Sequence, residues 1–260
     1  MSTDNKALCD FHGKTASSGI VASQFRKSGY VILRNIYNKQ FVDELHSEFT
    51  HRYKHHLGHE EKEDALTVGD KRYKTSITLE QPFDSIELLA NEYILPILKN
   101  IIDEHLVLAS VVCVTSLPGA DEQSTHRDHP WLFGTPIDRL LPSYAIKLLI
   151  PLVPMNAETG TTRVWPESQN NLDATALQQG SVDPLLDTGD CMLTDYNLMH
   201  QGLANTSAQV RPVLFLSYAR HWFRDEQNFK KQTHLLAPMS THKALLQKNK
   251  SLFSRLQVET

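Results

Sequence analysis

The chain has 260 residues, of which 40% are hydrophobic and 22% charged, a composition typical of a soluble globular protein with a sizeable core. The formal net charge of -4 argues against a generally basic surface for nucleic acid, and no apolar run approaches the roughly 18–20 residues of a membrane span. The three cysteines form no CxxC pair, which favours a reducing compartment. We expect a single domain over residues 1–260 in the cytoplasm, without nucleic-acid or membrane partners; the oligomeric state is not predicted.

The first part of the chain, to about residue 105, is predicted to be mainly helical. "GYVILRNIY" (residues 29–37) is rich in β-branched and aromatic residues and predicts one strand. The next segment, "NKQFVDELHSEFTHRY", repeats apolar residues every four positions, which predicts an amphipathic helix. The repeated residues are Phe41, Leu45, Phe49 and Tyr53. A polar segment follows at about residues 58–74.

A second helical region is predicted in "FDSIELLANEYILPILKNIIDEHL". Asp84 or Ser85 is a suitable N-cap, because a short polar side chain can accept hydrogen bonds from the first free backbone N–H groups of a helix. Pro96 lacks a backbone N–H and predicts a break or a kink within this region.

From Val107 onward the sequence changes to short β-like runs separated by turn residues. The runs are "VLASVVCVTSL", "YAIKLLIPLVP", "TTRVWP", "GDCMLTD" and "PVLFLSYARHWF". This density of strands predicts a β-barrel or a β-sandwich. We place this β-rich core at about residues 106–225 and a C-terminal tail at about residues 226–260.

The stretch "QSTHRDHPWLFG" places a histidine and an aspartate two positions apart. In a strand, residues i and i+2 project from the same face, so His126 and Asp128 would lie side by side while Arg127 faces the other way. One nitrogen and one oxygen ligand make two thirds of a three-residue metal site. An HxD pair alone occurs by chance in many proteins, so the prediction depends on a third ligand.

The third ligand is predicted in "DYNLMHQGLANTSAQVRPVLFLSY". His200 would complete a set of two histidines and one carboxylate, which suits non-haem Fe(II) because it leaves three coordination positions open. The HExxH spacing of helical zinc hydrolases is absent. Arg211 opens the apolar strand that follows, and its guanidinium can hold a carboxylate by two parallel hydrogen bonds, as a 2-oxoacid co-substrate requires.

With these motifs the chain resembles the phytanoyl-CoA dioxygenase family of Fe(II)/2-oxoglutarate-dependent oxygenases. The resemblance runs from "FRKSGYVILRNIY" to "YARHWFRDEQNF" and is closer to the natural-product branch, because of Gln123, "ETGTTRVWPESQ" and "SYARHWFRD". It implies a mainly β fold with flanking helices, whose core is a double-stranded β-helix, the cupin-like jelly roll. The sequence departs from the family pattern at Glu167 and Gln169, where Gly and His are usual, which leaves the shape of that turn open.

The resemblance also implies roles for individual residues. Three residues match the Fe(II) ligands: His126, Asp128 and His200. Arg211 matches the residue that pairs with the distal carboxylate of 2-oxoglutarate, and O₂ is implied as the other co-substrate. Gln123 and Thr162 match polar positions that contact 2-oxoglutarate, and their amide and hydroxyl groups suit that role. An ordinary turn residue and an ordinary strand residue are equally good interpretations of these two.

Four further residues are predicted substrate contacts. Trp131 and Phe133 follow the HxD pair and would line an apolar pocket, unless they belong to the core. Arg72 and Lys74, in "GDKRYKTS", would meet an anionic substrate if this segment covers the site, whereas a solvated loop is the simpler interpretation.

The implied reaction is the oxidation, most simply the hydroxylation, of a C–H bond in a small organic molecule of secondary metabolism. Asp128 stands where halogenating members of the wider superfamily carry a small residue, so oxygen chemistry is expected. Desaturation, epoxidation and rearrangement remain open. A catalytically silent jelly-roll protein with a binding or regulatory role is the alternative from another class.

Overall fold

The computed structural model describes residues 9–54, 65–171, 177–178, 180–229 and 235–259. Its strands are β1 (Asp10–His12), β2 (Tyr30–Arg34), β3 (Ala65–Gly69), β4 (Arg72–Ser76), β5 (Val107–Ser116), β6 (Ala145–Pro151), β7 (Thr162–Val164), β8 (Cys191–Asp195), β9 (His200–Gly202), β10 (Arg211–Ala219), β11 (Leu236–Ala237) and β12 (Gln257–Val258). Its α-helices are α1 (Ser18–Ser28), α2 (Lys39–Tyr53), α3 (Ile86–Leu89), α4 (Ile94–Ile101) and α5 (Met239–Lys248). None of these helices has the length and the apolar character that crossing a bilayer requires.

Eight strands form one large sheet in the order β1-β2-β8-β6-β10-β5-β4-β3. Adjacent strands in this sheet are antiparallel, except for the edge pair β1–β2, which is parallel. A smaller antiparallel sheet pairs β7 with β9, and single bridges add Val182 beside Val164 and His126 beside His200. The two sheets build the jelly roll that the sequence predicts, and both supply residues to one cavity.

The helices cover one face of the large sheet. Apolar side chains from α1, α2 and α4 pack in one cluster with those from β5, β6 and β10, for example Phe25, Leu45 and Ile97 against Val111, Leu148 and Leu214. The C-terminal residues join the same cluster through Leu245 and Phe253. Because side chains alternate along a strand, the opposite face of these strands is left to line the cavity.

The predicted strand and first helix are confirmed as β2 and α2. The side chain of Asn38 caps α2 by accepting a hydrogen bond from the Gln40 backbone N–H at 2.8 Å. The buried face of α2 contains Val42 where the four-residue spacing predicts Phe41, which is only partly buried. A helical turn has 3.6 residues, so a strict spacing of four drifts around the helix.

The polar segment at about residues 58–74 forms two strands from residue 65 onward, and residues 58–64 lie outside the described part of the chain. β3 and β4 form a hairpin whose second strand pairs with β5. Alternation in "RYKTS" places Arg72 and Lys74 on the same face, and Lys74 lines the cavity. Polar side chains of this segment face the cavity rather than the core. In the sequence the segment therefore resembles a solvated loop.

The second helical region is confirmed, with Ser85 as the N-cap of α3 through its hydrogen bond from the Glu87 N–H at 3.1 Å. The break lies between α3 and α4, before Pro96 rather than at it. Pro96 lies in the first turn of α4, where a backbone N–H has no acceptor within the helix, so the ring is tolerated there.

Candidate functional site

His126, Asp128 and His200 lie together, and their ligand atoms are all within 4.8 Å of one another. The two histidines face each other across a bridge in which each backbone N–H donates to the other's carbonyl at 2.9 Å. Asp128 is held by its own backbone N–H, which donates to the Tyr196 carbonyl at 3.0 Å. The backbone of the loop after β8 therefore fixes ligands that are far apart in sequence.

Both imidazole rings are oriented for metal binding. The Nδ1 atom of His126 lies 2.8 Å from the Ser124 carbonyl, and that of His200 lies 2.9 Å from the Leu198 carbonyl. Because a carbonyl can only accept, each Nδ1 carries the proton and each Nε2 presents a lone pair. Burial lowers the pKa of His200 to about 4, so this ring is neutral at neutral pH, as a ligand must be.

The Asp128 carboxylate is buried and held on one side only. Lys147 forms an ion pair with its Oδ1 atom, whereas its Oδ2 atom is buried without a hydrogen-bond partner. Burial by itself raises the pKa of the Asp128 carboxyl, but the adjacent Lys147 ammonium opposes burial through its charge and its hydrogen bond, and the net effect is a lowered pKa. The carboxylate is thus ionised, with one oxygen available to a cation.

Lys147 is a site residue whose ion pair with Asp128 the sequence alone does not predict. It lies on β6, and its ammonium is 5.4 Å and 5.5 Å from the ring centroids of Tyr196 and Phe215. The signal is present in "YAIKLLIP", where one charged residue interrupts an apolar strand. A lone charge at such a position is expected to have a buried partner.

A row of polar side chains crosses three strands at one end of the large sheet. Ser116 on β5 is paired in register with Arg72 on β4 and with Arg211 on β10. The Nη2 atom of Arg211 donates to the Ser116 hydroxyl at 2.7 Å, whereas its Nε and Nη1 atoms are buried without partners. Arg72 donates from Nη2 to the Asp121 and Leu203 carbonyls at 2.9 Å and 3.1 Å, and its Nε atom is unsatisfied.

Burying these two arginine side chains without an anion to pair with them costs free energy of folding. Burial, followed by the neighbouring Arg72 charge, lowers the pKa of Arg211 to about 9, and burial lowers the pKa of Arg72 to about 10. Neither forms an ion pair with a described carboxylate. With 1% of its surface exposed, Arg72 is not on a solvated loop, which corrects that interpretation. Three unsatisfied N–H-bearing nitrogens therefore offer donors to a carboxylate.

Gln123 and Thr162 line the same cavity as the three predicted ligands. The Gln123 amide accepts from the Gly202 N–H at 3.2 Å and donates to the Val68 carbonyl at 3.1 Å. Thr162 pairs with Gly202 in the β7–β9 register. The cavity is open to solvent and has a volume of about 150 Å³.

Of the predicted substrate contacts, the structure brings Lys74 to the cavity and leaves two aromatic residues outside its lining. Trp131 stacks on the Arg127 guanidinium at 4.7 Å, and Phe133 is 63% exposed. The apolar run after the HxD pair is therefore not the wall of this cavity. Lys74 donates to the Asn228 carbonyl, and burial, then the Lys147 charge, lowers its pKa to about 8.

Comparison with known families agrees with this geometry. The model of the phytanoyl-CoA dioxygenase (PhyH) family matches residues 25–213. The chain belongs to the phytanoyl-CoA dioxygenase family. The matched residues include all three predicted metal ligands and Arg211.

Solved structures of natural-product enzymes share the fold. SnoN, a non-haem α-ketoglutarate-dependent epimerase from nogalamycin biosynthesis, has a TM-score of 0.61 at 18% identity, over 79% of this chain and 82% of its own. AviO1 from Streptomyces viridochromogenes Tue57 has a TM-score of 0.62 at 18% identity, over 81% and 98%. HygX from Streptomyces hygroscopicus, solved with nickel and 2-oxoglutarate, has a TM-score of 0.60 at 15% identity, over 77% and 86%.

Fe(II) and 2-oxoglutarate, the cofactor and co-substrate of this family, fit the residues that line the cavity together with Arg211, which is not itself one of the lining residues. The donor set of two imidazoles and one carboxylate suits Fe(II), and the orphaned Asp128 Oδ2 atom is a buried acceptor without a partner. The orphaned Arg211 Nε and Nη1 atoms are buried donors that a carboxylate can satisfy together.

Proposed function

We propose that the protein is an Fe(II)/2-oxoglutarate-dependent dioxygenase that hydroxylates a C–H bond of a small molecule in natural-product biosynthesis. The proposal is supported above all by the combination of two features: a His–Asp–His cluster, and a buried arginine with two unsatisfied nitrogens. Neither feature by itself distinguishes a catalytic site from a structural one. Together they suit a metal and a dicarboxylate that share one site.

In this function His126, Asp128 and His200 hold the metal, and Arg211 binds the distal carboxylate of 2-oxoglutarate with Arg72 and Ser116 beside it. Gln123 and Thr162, which line the cavity, contact the co-substrate. Lys147 keeps Asp128 ionised and engages the oxygen that does not bind metal. When bound, Fe(II) with 2-oxoglutarate and O₂ supplies an oxidant able to remove hydrogen from a C–H bond, with succinate and CO₂ as co-products.

The experiment is to measure O₂ consumption and succinate formation with Fe(II) and 2-oxoglutarate, without and with candidate substrates. We expect equimolar succinate and O₂ turnover in the native protein and none in His200→Ala. His221, which is exposed, is a matched histidine outside the cluster, and His221→Ala should turn over normally. A native protein that binds both ligands but releases no succinate with any substrate would support the silent binding protein instead.

Epimerisation is a second candidate, because SnoN shares the fold and is an epimerase. Both reactions begin by removing hydrogen from a substrate carbon, and they differ in what returns to that carbon. Products formed under ¹⁸O₂ separate them. Hydroxylation places one labelled oxygen in the product, whereas epimerisation returns an unlabelled product of unchanged mass.

A further inference from the structure

Arg127 lies between two predicted metal ligands, and its side chain points away from them. It is not among the residues that line the cavity. Its guanidinium donates from Nε to the Asn197 carbonyl at 2.8 Å and from Nη2 to the Ser168 and Asn171 carbonyls at 3.1 Å and 2.7 Å. Its Nη1 atom contacts the Met199 sulfur at 2.7 Å. All three guanidinium nitrogens are therefore engaged.

The partners of Arg127 belong to the backbone that presents the third ligand. Asn197 and Met199 lie in the short connection between β8 and β9, and His200 follows directly. The second set of partners, Ser168 and Asn171, flanks the 3₁₀ turn after β7, and the Ser168 hydroxyl accepts from the Met199 N–H at 2.9 Å. One side chain thus ties the HxD segment both to the His200 connection and to the turn that supports it.

Trp131 covers the outer side of this arrangement, with its ring 4.7 Å from the guanidinium carbon. The guanidinium is satisfied by carbonyl dipoles and an aromatic face, and no described carboxylate forms an ion pair with it. A planar fork with donors in three directions can bind these separate acceptors at once, whereas a lysine ammonium is a compact charge that cannot span them. The arrangement depends on the shape of the guanidinium more than on its charge.

We propose that Arg127 is a positioning residue of the metal centre, which sets the spacing between the HxD ligands and His200. This inference rests on the proposed metal site. Asp128 and His200 come from different segments, and the connecting hydrogen bonds of Arg127 limit how far these segments can separate. Loss of an outer contact that orients metal ligands typically costs about 10- to 100-fold in metal affinity.

The test measures Co(II) binding to the native protein and to Arg127→Met, Arg127→Lys and Arg255→Met, by competition with a chromophoric chelator and by the Co(II) d–d spectrum. Arg255 is the matched control, because its half-buried Nη2 also donates to backbone carbonyls, those of His221 and Phe223 at 2.9 Å and 2.6 Å. It lies outside the lining of the metal cavity. Thermal unfolding of each metal-free protein measures the purely structural effect.

We expect Arg127→Met and Arg255→Met to lower the unfolding midpoint, but only Arg127→Met to weaken Co(II) binding by about 10- to 100-fold and shift the d–d bands. Arg127→Lys should bind Co(II) as weakly as Arg127→Met, because the lysine charge alone does not restore the hydrogen bonds of the guanidinium. Native Co(II) affinity and spectrum in Arg127→Met would overturn the inference, as would an equal loss in Arg255→Met. His200→Ala separates this result from failure of the proposed site: if it too binds Co(II) normally, the site itself is wrong.

Discussion

At the scale of single residues, Asp128 combines two properties that determine the chemistry of the site. Its carboxylate is a predicted metal ligand, and it occupies a position that an external anion would otherwise enter. Asp128→Gly should lose hydroxylation and bind Fe(II) more weakly, yet admit azide to the metal. Azide added to the anaerobic Fe(II)/2-oxoglutarate complexes should change the spectrum of the variant and leave the native spectrum unchanged. An equal response from both proteins would mean that Asp128 does not bind the metal.

Arg211 tests the proposed contact with the distal carboxylate of 2-oxoglutarate. Arg211→Met should weaken 2-oxoglutarate binding by roughly 30- to 1000-fold, or about 2–4 kcal/mol, because a buried carboxylate loses a charge-assisted pair of hydrogen bonds. Anaerobic calorimetry of the Fe(II) protein measures the effect. Arg220→Met is the control, since Arg220 already pairs with Asp103 at 2.7 Å, whereas the Arg211 Nε and Nη1 atoms have no partner. Unchanged affinity in Arg211→Met would place the carboxylate contact elsewhere, with Arg72 the next candidate.

The residues that sequence could predict are those whose chemistry shows in spacing. His126 with Asp128, and His200 with Arg211, have the residue types and order of a metal and carboxylate site, and the structure brings the three ligands together. Lys147 could not be assigned to Asp128, because their contact depends on the relative position of β6 and the HxD loop. For Arg127, the alternation of side chains along a strand predicts only that it faces away from His126 and Asp128. Its hydrogen-bond partners could not be predicted, because they lie 41 to 72 positions further along the chain.

At the scale of elements, Gly202 on β9 leaves space for two polar side chains because it has no Cβ atom. A Cβ atom on Gly202 would lie 2.6 Å from the Gln123 Oε1 atom and 2.7 Å from the Arg72 Nη1 atom. Gly202→Ala should therefore displace both side chains, destabilise the fold by about 1–3 kcal/mol and weaken 2-oxoglutarate binding. Gly19→Ala is the control, because nothing lies within 4 Å of its Cβ position. Native 2-oxoglutarate affinity in Gly202→Ala would show that Gln123 and Arg72 do not shape the binding site.

The turn after β7, whose sequence departs from the family pattern, is held by contacts from the end of α1. Glu167 adopts a left-handed backbone with φ 66°, a conformation that costs a residue with a Cβ roughly 1–2 kcal/mol. Its N–H donates to the Ser28 carbonyl at 2.9 Å, and the Gln169 amide donates to the Arg26 and Lys27 carbonyls at 3.2 Å each. The sequence shows that this turn departs from the family pattern, but it does not predict the conformation of the turn. The contacts that hold it come from the end of α1, which is distant in sequence.

At the scale of the whole molecule, the metal-free protein should lose stability in acid because His200 is buried in its neutral form. The pKa of His200 is lowered to about 4 by burial, so the unfolded chain binds more protons between pH 6.5 and 4 and folding weakens as pH falls through that window. The full effect is about 3 kcal/mol. Asp195, whose pKa burial raises to about 6, contributes the opposite slope in an overlapping window.

The measurement is therefore a difference: chemical unfolding of the metal-free native protein and of His200→Gln from pH 4 to pH 7. The Asp195 contribution is common to both proteins and cancels. The variant should show a flatter decline towards acid, since glutamine does not titrate. Parallel profiles would mean that His200 is not buried in a neutral form.

The order of the large sheet explains which parts of the architecture sequence could predict. The pattern of short strands predicts the β-rich core, but it does not reveal the edge strands β3 and β4, which lie in a polar stretch of the sequence from which Lys74 faces the cavity. The residues from 235 onward are expected as a tail, and they contribute α5 and core side chains instead. Their packing against the helices depends on tertiary contacts that periodicity does not encode.

The most direct test of the proposed site is an anaerobic titration of 2-oxoglutarate into the Fe(II) protein, followed by the visible charge-transfer band that forms when a 2-oxoacid binds iron. The site predicts one Fe(II) per chain and a band that saturates at one equivalent of 2-oxoglutarate. His200→Ala should show no such band, while His221→Ala should match the native protein. A native protein without the band, or a His200→Ala protein with a full band at the same stoichiometry, would contradict the assignment of His126, Asp128 and His200 as the metal centre.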